Sequence, residues 1–303
     1  MPTVALVTTT DDVLKGEEVD IDIIVSALHN ERIVGAPAIW HDPSVGWDEF
    51  DLILIRSPWD YPERLAEFLG WLDARAAHSV VLNPAPLIKW NLDKRYMREL
   101  EREGVAVVPS WFASSVEETR EAMYAVQAGQ VIIKPTISVG SRDTGRYSAD
   151  DPAALNLAEK ILGDGKQVVV QPAIESVAER GEHGLVHFDG EYSHALRKGA
   201  ILADGGGYLG GAYTEDISAA TPSDEEVALA HDAMVAIATI AAQWGLDDPR
   251  PLYARLDIVR SDAGPQLLEA ELFEPSYFLG TAPGSEVRFA KAVRNRLEAL
   301  GAG

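Results

Sequence analysis

Hydrophobic residues in the first 85 positions follow two spacings that alternate along the chain. Short β-branched runs are separated by segments whose apolar residues recur every three to four positions, which predicts a parallel α/β unit. The predicted elements are strands over residues 4–8, 35–40, 51–56 and 80–82 and helices over residues 21–30 and 62–77. The first strand runs into Thr8-Thr9-Thr10-Asp11-Asp12 without a glycine. A dinucleotide-binding turn needs glycine there for the pyrophosphate, so a nicotinamide dehydrogenase is disfavoured.

The segment Pro84-Ala85-Pro86 predicts a boundary after this unit. The next elements predicted are a helix over 86–103 ended by Gly104, a strand over 105–112, a helix capped by Ser114 or Ser115, a strand over 131–134, a helix over 152–162 and a strand over 168–171. This order favours a second, α+β unit over residues 86–180.

A third unit is predicted over residues 181–303. Its predicted elements are strands over 184–188 and 192–197 joined by the turn Asp189-Gly190, a glycine-rich stretch over 204–211, a long helix from Pro222 to about Gly245, a hairpin, and a helix over 286–300. The chain as a whole is therefore predicted to combine α/β and α+β architecture.

The hairpin carries an unusual group of charges. Apolar and polar residues alternate in Arg255-Leu256-Asp257 and in Glu269-Ala270-Glu271, so the polar residues of each segment share one face. Pairing the segments places three carboxylates and one guanidinium on the same side of a sheet. Gathered carboxylates raise one another's pKa unless a cation lies between them, and Mg²⁺ prefers such oxygen ligands. The hairpin thus predicts a metal site, with an ordinary solvated face as the alternative.

Composition narrows the range of partners. Lys and Arg number 26 against 48 Asp and Glu, a net charge of −22, which disfavours nucleic acids and anionic membranes. The absence of cysteine excludes disulfides, thiolate metal ligands and a thiol nucleophile. The N-terminus enters a strand-like run without a basic leader, and no apolar run approaches the ~20 residues that span a bilayer, so we expect a cytoplasmic protein.

Two lysines precede features suited to anions. Lys134 ends a β-branched run and is followed by a loop of small residues, whose backbone N–H groups can wrap an anion. Lys94 lies in a predicted helix, and Gln171-Pro172 follows another apolar run. Each feature has a simpler alternative: Lys134 could be an exposed residue of a surface loop, and Lys94 could face solvent on its helix. Gln171-Pro172 could be an ordinary exit from a strand.

In this order, the pieces resemble the ATP-grasp superfamily, including the α/β unit that commonly precedes the grasp. The matching pieces are Lys94, Lys134 with its Ser/Gly loop, Gln171-Pro172, Gly181-Glu182, Arg255-x-Asp257 and Glu269-x-Glu271. Residues 55–61 and 192–198 are similar to the glutathione-synthetase-like branch, and within it to the cyclo-ligases that close O-ureido-D-serine to D-cycloserine. The resemblance implies an ADP-forming ligase that uses ATP and two Mg²⁺ ions to activate an amino-acid carboxylate as an acyl phosphate for attack by nitrogen.

The resemblance also implies roles for individual residues. Lys94 and Lys134 would contact the ATP phosphates, and Ser138, Gly140 and Ser141 would form the mobile loop. Gln171, Ala173 and Ile174 would contact the adenine, and Glu182 would bind the ribose. Asp257, Glu269 and Glu271 would bind Mg²⁺. Arg255 and Lys134 would act on the transferring phosphate, and Arg197 would pair with the substrate carboxylate. Many relatives carry Asn where Glu271 stands.

Two segments are candidates for binding the amino-acid substrate. Arg56, Trp59, Asp60 and Tyr61 follow a buried strand, where parallel sheets place ligands. Glu274, Ser276 and Tyr277 follow the predicted metal strand, and we expect them to meet the substrate ammonium or nucleophilic nitrogen. Alternatively, Trp59 and Tyr61 could simply cover the hydrophobic core, and the segment from Glu274 could simply form the turn into the last helix. Among the histidines, only His194 lies near the predicted site.

Two other functions remain open from the sequence. One is an intermolecular carboxylate–amine ligase, such as a dipeptide or glutathione-like synthetase, with the same nucleotide site. The other is a module that binds a nucleotide or an amino acid without chemistry. The resemblance also allows a homodimer.

Overall fold

The structure is a computed structural model that describes residues 1–14, 16–211, 214–246 and 248–301. Strands of these residues form three sheets, in agreement with the predicted mixture of α/β and α+β architecture. The first sheet is parallel, with the strand order β2-β1-β3-β4. Its elements are β1 (Thr3–Thr8), α1 (Asp11–Leu14), α2 (Ile21–Asn30), β2 (Val34–Ile39), β3 (Leu52–Ser57), α3 (Leu65–Ala76) and β4 (Val81–Leu82). All four predicted strands of this unit are present.

The second sheet is antiparallel, with the order β5-β8-β6-β7. The elements of this region are α4 (Ala85–Asn91), α5 (Met97–Arg102), β5 (Trp111–Ala113), α6 (Val116–Val126), β6 (Gln130–Pro135), β7 (Gly145–Ser148), α7 (Pro152–Gly163) and β8 (Val168–Pro172). Val131, Ile133, Val168 and Val170 are buried against both long helices, α6 and α7, and form a separate core. The sheet therefore carries its helices on one face.

The third sheet is also antiparallel, with the order β11-β10-β9-β12-β13. Its region contains α8 (Val177–Arg180), β9 (Glu182–Phe188), β10 (Glu191–Lys198), β11 (Ile217–Ala220), α9 (Asp224–Ala242), β12 (Tyr253–Ser261), β13 (Gly264–Glu271) and α10 (Ser285–Ala299). The buried face of α9 packs on Leu185, Leu256 and Ala270. The predicted hairpin, β12–β13, therefore lies at one edge of a five-stranded sheet.

The predicted helix over residues 86–103 is wrong as a continuous element. It is divided into α4, a 3₁₀ turn at Lys94–Tyr96, and α5. Asp93 begins this turn by accepting a hydrogen bond from the backbone N–H of Arg95 at 3.0 Å. Because the helix breaks here, the backbone N–H of Lys94 reaches the carbonyl of Thr136 at 2.9 Å. The break therefore brings Lys94 to the end of β6.

Two other predictions need correction. The strand predicted over residues 105–112 begins only at Trp111, in β5. Val105 and Val107 are buried in the core, but they belong to a connecting segment whose one β-bridge joins Val107 to Leu267. The helix predicted from Pro222 starts at Asp224, since Ser223 forms a reciprocal capping box with Glu226. Strands β7 and β11 were not predicted. Within the described ranges, no helix is both long and apolar enough to cross a membrane.

Glu226 is expected to make the stability of the fold depend on pH. Its carboxylate lies 3.1 Å from the His183 ring and accepts a hydrogen bond from the backbone N–H of Ser223 at 2.6 Å. Burial raises the pKa of Glu226, but His183 and Ser223 outweigh it and lower this pKa from 4.5 to about 2. A lowered carboxyl pKa stabilises the fold fully above pH 4.5, and this contribution, on the order of 3 kcal/mol, is lost as the pH falls toward 2. Urea unfolding of Glu226→Gln should show a smaller loss of stability over this range than the native protein. The exposed neighbour Asp224, changed to Asn, should keep the native slope; an equal slope for Glu226→Gln would contradict the assignment.

The N-terminal unit is tied to the segment that follows β13. Asp20 is fully buried, and its carboxylate accepts hydrogen bonds from the backbone N–H groups of Tyr277 at 2.6 Å, Phe278 at 3.0 Å and Leu279 at 2.8 Å. Arg56, also fully buried, donates to the carbonyl of Pro275 at 2.9 Å and lies 3.7 Å above the Tyr277 ring. Both residues thus fix the path of the chain beyond the acidic hairpin.

Candidate active site

A cavity of about 400 Å³ lies where the three sheets meet. Each sheet contributes side chains: Trp59 follows β3, Lys134 and Gln171 come from β6 and β8, and Asp257 and Glu271 come from β12 and β13. A chamber of this size, lined by both apolar and charged side chains, can hold a small molecule.

The acidic hairpin forms one wall of this cavity. The register pairs Arg255 with Glu271 and Asp257 with Glu269, so the four side chains share one face as the alternation predicts. Arg255 donates to Asp257 from Nε at 2.8 Å and from Nη2 at 3.0 Å, and Nη2 also donates to Glu271. Gly184 on the adjacent strand β9 leaves room for this pair, because a Cβ there would lie 3.0 Å from Asp257 Oδ1.

Three lysines converge on the same carboxylates. Lys94 Nζ lies 3.0 Å and Lys134 Nζ 3.9 Å from Glu269. Lys198 Nζ lies 2.6 Å from Glu182 and 3.0 Å from Asp257. Burial opposes the charge of Lys198, but Asp257 and Glu182 outweigh it and raise the pKa of Lys198 well above its usual value, whereas burial lowers the pKa of Lys134. The cavity therefore gathers three lysine side chains around one space, which suits an anionic ligand such as a polyphosphate.

The predicted metal ligands have the right chemistry for Mg²⁺ but are engaged by cations. Among the described residues, no three acidic or histidine side chains are already grouped as a metal site. Burial, and to a smaller extent the neighbouring Asp257, raise the pKa of Glu271 to about 7 despite Arg255, so a bound cation would help to keep all three carboxylates ionised. Three carboxylate side chains on one face offer the hard oxygen ligands that a divalent cation such as Mg²⁺ prefers. Asp257, Glu269 and Glu271 would hold it by releasing some of their present ion pairs.

The predicted nucleotide-binding residues all line the cavity. They are Lys94, Lys134, Ser138, Gly140, Ser141, Gln171, Ala173, Ile174 and Glu182. The loop between β6 and β7 bends through positive φ at Gly140 and Ser141. Tyr208, from the glycine-rich stretch, donates to the carbonyl of Ser141 at 3.3 Å. The loop predicted to be mobile and the glycine-rich stretch therefore meet at the same part of the cavity.

The predicted substrate residues divide into two groups. Trp59, Glu274 and Ser276 line the cavity, whereas Arg56, Asp60 and Tyr61 lie behind its wall. Tyr61 donates to Glu274 Oε1 at 3.0 Å, and Trp59 Nε1 donates to the Glu274 carbonyl at 3.1 Å. Asp60 accepts from Trp40 Nε1 at 2.8 Å. Most of the segment that contains Arg56, Trp59, Asp60 and Tyr61 therefore supports the wall of the cavity from behind and does not face a ligand.

Arg197 is not brought into the cavity. Its guanidinium donates to the Arg180 carbonyl at 2.8 Å and to Asp216 at 3.1 Å, on the opposite face of β10. Lys198, which sequence reasoning missed, takes the inward position beside Glu182. His194, the other residue singled out on this strand, is buried, and its Nε2 lies 2.8 Å from the Tyr277 carbonyl. Its ring therefore supports the segment after β13 from behind.

Comparison with known proteins agrees with this geometry. Residues 4–83 match the family described as D-cycloserine synthetase DcsG, N-terminal domain. The chain is 36% identical to the cycloserine biosynthesis protein DcsG of Streptomyces lavendulae, over 97% of this chain and 99% of that protein. The crystal structure of D-cycloserine synthetase DcsG aligns with a TM-score of 0.85 and 33% identity, covering 97% and 99% of the two chains.

A more distant structure shows the shared fold. The ATP-grasp ligase PsnB, crystallised with a phosphomimetic variant of its minimal precursor, Mg and ADP, aligns with a TM-score of 0.62 at 17% identity, over 98% of this chain and 99% of PsnB. The whole-chain match at 36% identity carries the family assignment, and the structural alignments carry the fold. The chain belongs to the D-cycloserine synthetase DcsG family and has the ATP-grasp ligase fold.

Proposed function

We propose that the protein is an ADP-forming carbon–nitrogen ligase that closes O-ureido-D-serine to D-cycloserine. The observation that carries this proposal is the wall of Arg255, Asp257, Glu269 and Glu271 facing Lys94, Lys134 and Lys198 in one cavity, in a chain of this family. Cationic and carboxylate groups in this arrangement suit a metal-bound nucleotide next to a carboxylate substrate.

The lysines and Arg255 have the first task in the reaction. A carboxylate repels the terminal phosphate of ATP, and buried cations offset this charge better than exposed ones. Lys94 and Lys134 reach the cavity from one side and Arg255 from the other. They would bind the phosphates, orient the terminal phosphoryl group and stabilise the charge that develops during its transfer to the substrate. We assign Lys198 to this group in place of Arg197.

Asp257, Glu269 and Glu271 would hold Mg²⁺, which when bound neutralises phosphate charge and orients the nucleotide. The number of ions, two by the resemblance, is part of the proposal. Gln171, Ala173 and Ile174 would meet the adenine and Glu182 the ribose, because they line the wall beyond the lysines. The loop over Ser138–Ser141 and the glycine-rich stretch that contacts it would exclude water and so protect an acyl phosphate from hydrolysis.

The substrate would lie at the end of the cavity formed by Trp59, Glu274 and Ser276. Glu274 offers a carboxylate oxygen to a substrate ammonium or N–H group. Ring closure within one molecule gains from proximity, where effective molarities reach ~10⁵ M or more. An enzyme of this kind would need no second amine, which distinguishes it from a dipeptide-forming ligase.

The direct test follows ADP release from ATP and Mg²⁺ with O-ureido-D-serine as the only amino acid, and identifies the product by mass spectrometry. We expect turnover and D-cycloserine. Turnover only after addition of a separate amine would favour an intermolecular ligase instead. No Mg²⁺-dependent ADP release with any amino acid would favour a binding module.

Replacing Glu269 by Gln should lower kcat at least 100-fold, because the amide cannot balance Lys94 and Lys134 or hold a metal as a carboxylate does. The matched control is Asp262→Asn, which changes an exposed acid in the turn of the same hairpin. It should keep native turnover. Native turnover by Glu269→Gln at saturating Mg²⁺ would remove this residue from the proposed site.

Two properties stay predictions from the sequence. We expect a cytoplasmic protein, and the family resemblance allows a homodimer. Light scattering of the purified protein would determine its mass.

A further inference from the structure

Glu274 stands apart from the other acidic residues of the cavity. It follows β13 in the chain, is 8% exposed, and lines the end of the cavity together with Trp59 and Ser276. The carbonyl of Ser276 accepts a hydrogen bond from Arg255 Nη1 at 2.9 Å. The segment that carries Glu274 is therefore bonded directly to the arginine that we place at the transferring phosphate.

The partners of Glu274 are unlike those of its neighbours. Glu182, Asp257, Glu269 and Glu271 each form an ion pair with a lysine or an arginine, but Glu274 forms none in the part of the chain that the structure describes. Oε1 accepts the Tyr61 hydroxyl, whereas Oε2, although buried, has no hydrogen-bond partner among the described residues. A buried acceptor without a partner is destabilising, so its retention is explained best by a donor that the ligand brings.

The surroundings suit a group that takes up a proton. Burial and the nearby Glu271 raise the pKa of Glu274 well above its usual value. A carboxylate with a raised pKa accepts a proton more readily than an exposed one, which is a common property of catalytic bases. Tyr61 is itself buried and can hold the carboxyl group in one orientation through Oε1, which leaves Oε2 as the acceptor without a partner.

Building on the proposed function, we infer that Glu274 is a catalytic residue that accepts the proton of the attacking nitrogen at Oε2, with Tyr61 as its positioning residue. The nitrogen lone pair forms a bond to the carbonyl carbon of the acyl phosphate. The carbon–oxygen bond to phosphate then breaks, and its electron pair leaves with the phosphate. The N–H proton passes to Oε2 and afterwards to solvent. The carbamoyl group that remains on this nitrogen is then hydrolysed by water to CO₂ and ammonia, which leaves D-cycloserine. Phosphorylation of the carboxylate does not need this base.

The test separates the two half-reactions. In Glu274→Gln, which keeps the size of the side chain, ring closure should fall about 100-fold or more. Formation of the acyl phosphate should continue, seen as ADP release and as a hydroxamate when hydroxylamine is added. The inference is overturned by product formation within threefold of the native rate. It is also overturned if hydroxamate and product are lost together, since Glu274 would then be needed before the nitrogen attacks.

Tyr61→Phe tests the positioning role. It should lower kcat for ring closure about tenfold with little change in KM, and hydroxamate should again be trapped at the native rate. Tyr96→Phe is the matched control, because it removes another buried hydroxyl that bonds to the backbone of β13 at Ala270. It should lower stability without separating ADP release from product. If Glu274→Gln does not fold, Tyr61→Phe decides: equal losses of hydroxamate and product contradict the inference. Failure of the native enzyme to release ADP would instead contradict the proposed function.

Discussion

Replacing Asp20 by Ala is expected to lower the free energy of unfolding by about 4 kcal/mol. The side chain is fully buried and accepts three backbone hydrogen bonds, from Tyr277, Phe278 and Leu279. Hydrogen bonds to a charged group contribute about 1.5–3 kcal/mol each, and removing one member of a buried ion pair costs about 3–5 kcal/mol. Arg56, which lies 3.9 Å from Asp20, would keep a buried charge without its acidic neighbour. Urea unfolding followed by tryptophan fluorescence measures the change.

Asp22→Ala provides the control for this experiment. Asp22 is an exposed residue in the first turn of the same helix, α2, and its replacement should cost less than about 1 kcal/mol. Asp20→Asn should fall between the two, because an amide oxygen keeps one acceptor but not the charge. A loss below 1.5 kcal/mol for Asp20→Ala would show that the link between the N-terminal unit and residues 275–279 contributes little.

Replacing Arg255 by Gln is expected to lower kcat/KM about 1000-fold. Arg255 is 4% exposed and contacts Asp257, Glu271 and the carbonyl of Ser276 together. Removing one preorganised donor from a site of developing charge costs about 100- to 1000-fold, and here two carboxylates also lose their cation. Steady-state kinetics of ADP release with the amino-acid substrate measures the effect.

The kinetics of Arg255→Gln must be compared with those of the native protein under conditions in which both are folded. Arg260→Gln changes another arginine of β12, near the outer end of the strand and paired with the exposed Glu225, and should keep native kcat/KM. Arg255→Lys retains the charge but not the fork that spans both carboxylates, so it should recover stability better than activity. A folded Arg255→Gln protein with kcat/KM within threefold of native would remove Arg255 from the reaction.

The main elements could be predicted because periodicity reports burial directly. The two central N-terminal strands, β1 and β3, are rich in aliphatic residues and buried almost throughout, and α2 shows a continuous helical repeat. The helix predicted over residues 86–103 failed because the local pattern contains no breaker. The interruption depends on Asp93, which bonds to Arg95, and on Lys94, whose backbone bonds to Thr136. Thr136 is distant in sequence, so the break could not be read from the segment alone.

The choice between Arg197 and Lys198 shows a second limit. Counting outward from the turn Asp189-Gly190 as a regular hairpin pairs Arg197 with Glu182. A register shift between Tyr192 and His194 moves the pairing by one residue, so Lys198 meets Glu182 and Arg197 meets His183. Nothing in the local sequence announces this irregularity. The acidic hairpin also has a register shift, between Asp257 and Ile258. The pairs Arg255–Glu271 and Asp257–Glu269 lie on the same side of that shift, so the alternation within each strand still places the four side chains on one face.

The role of Asp20 could not be predicted from its local sequence either. An aspartate directly before a helix predicts an N-cap, and Asp20 does occupy that position for α2 without forming a side-chain capping bond. Its carboxylate instead bonds to backbone groups far along the chain.

The Asp20–Leu279 hydrogen bond joins residues separated by 259 positions. Contacts between such distant residues form slowly, because the intervening chain must first lose its freedom. During synthesis, the amino end leaves the ribosome long before the residues that it must hold. We therefore expect the parallel sheet to form early, and the end of the cavity that contains Glu274 to be completed only after residues 274–279 have been synthesised.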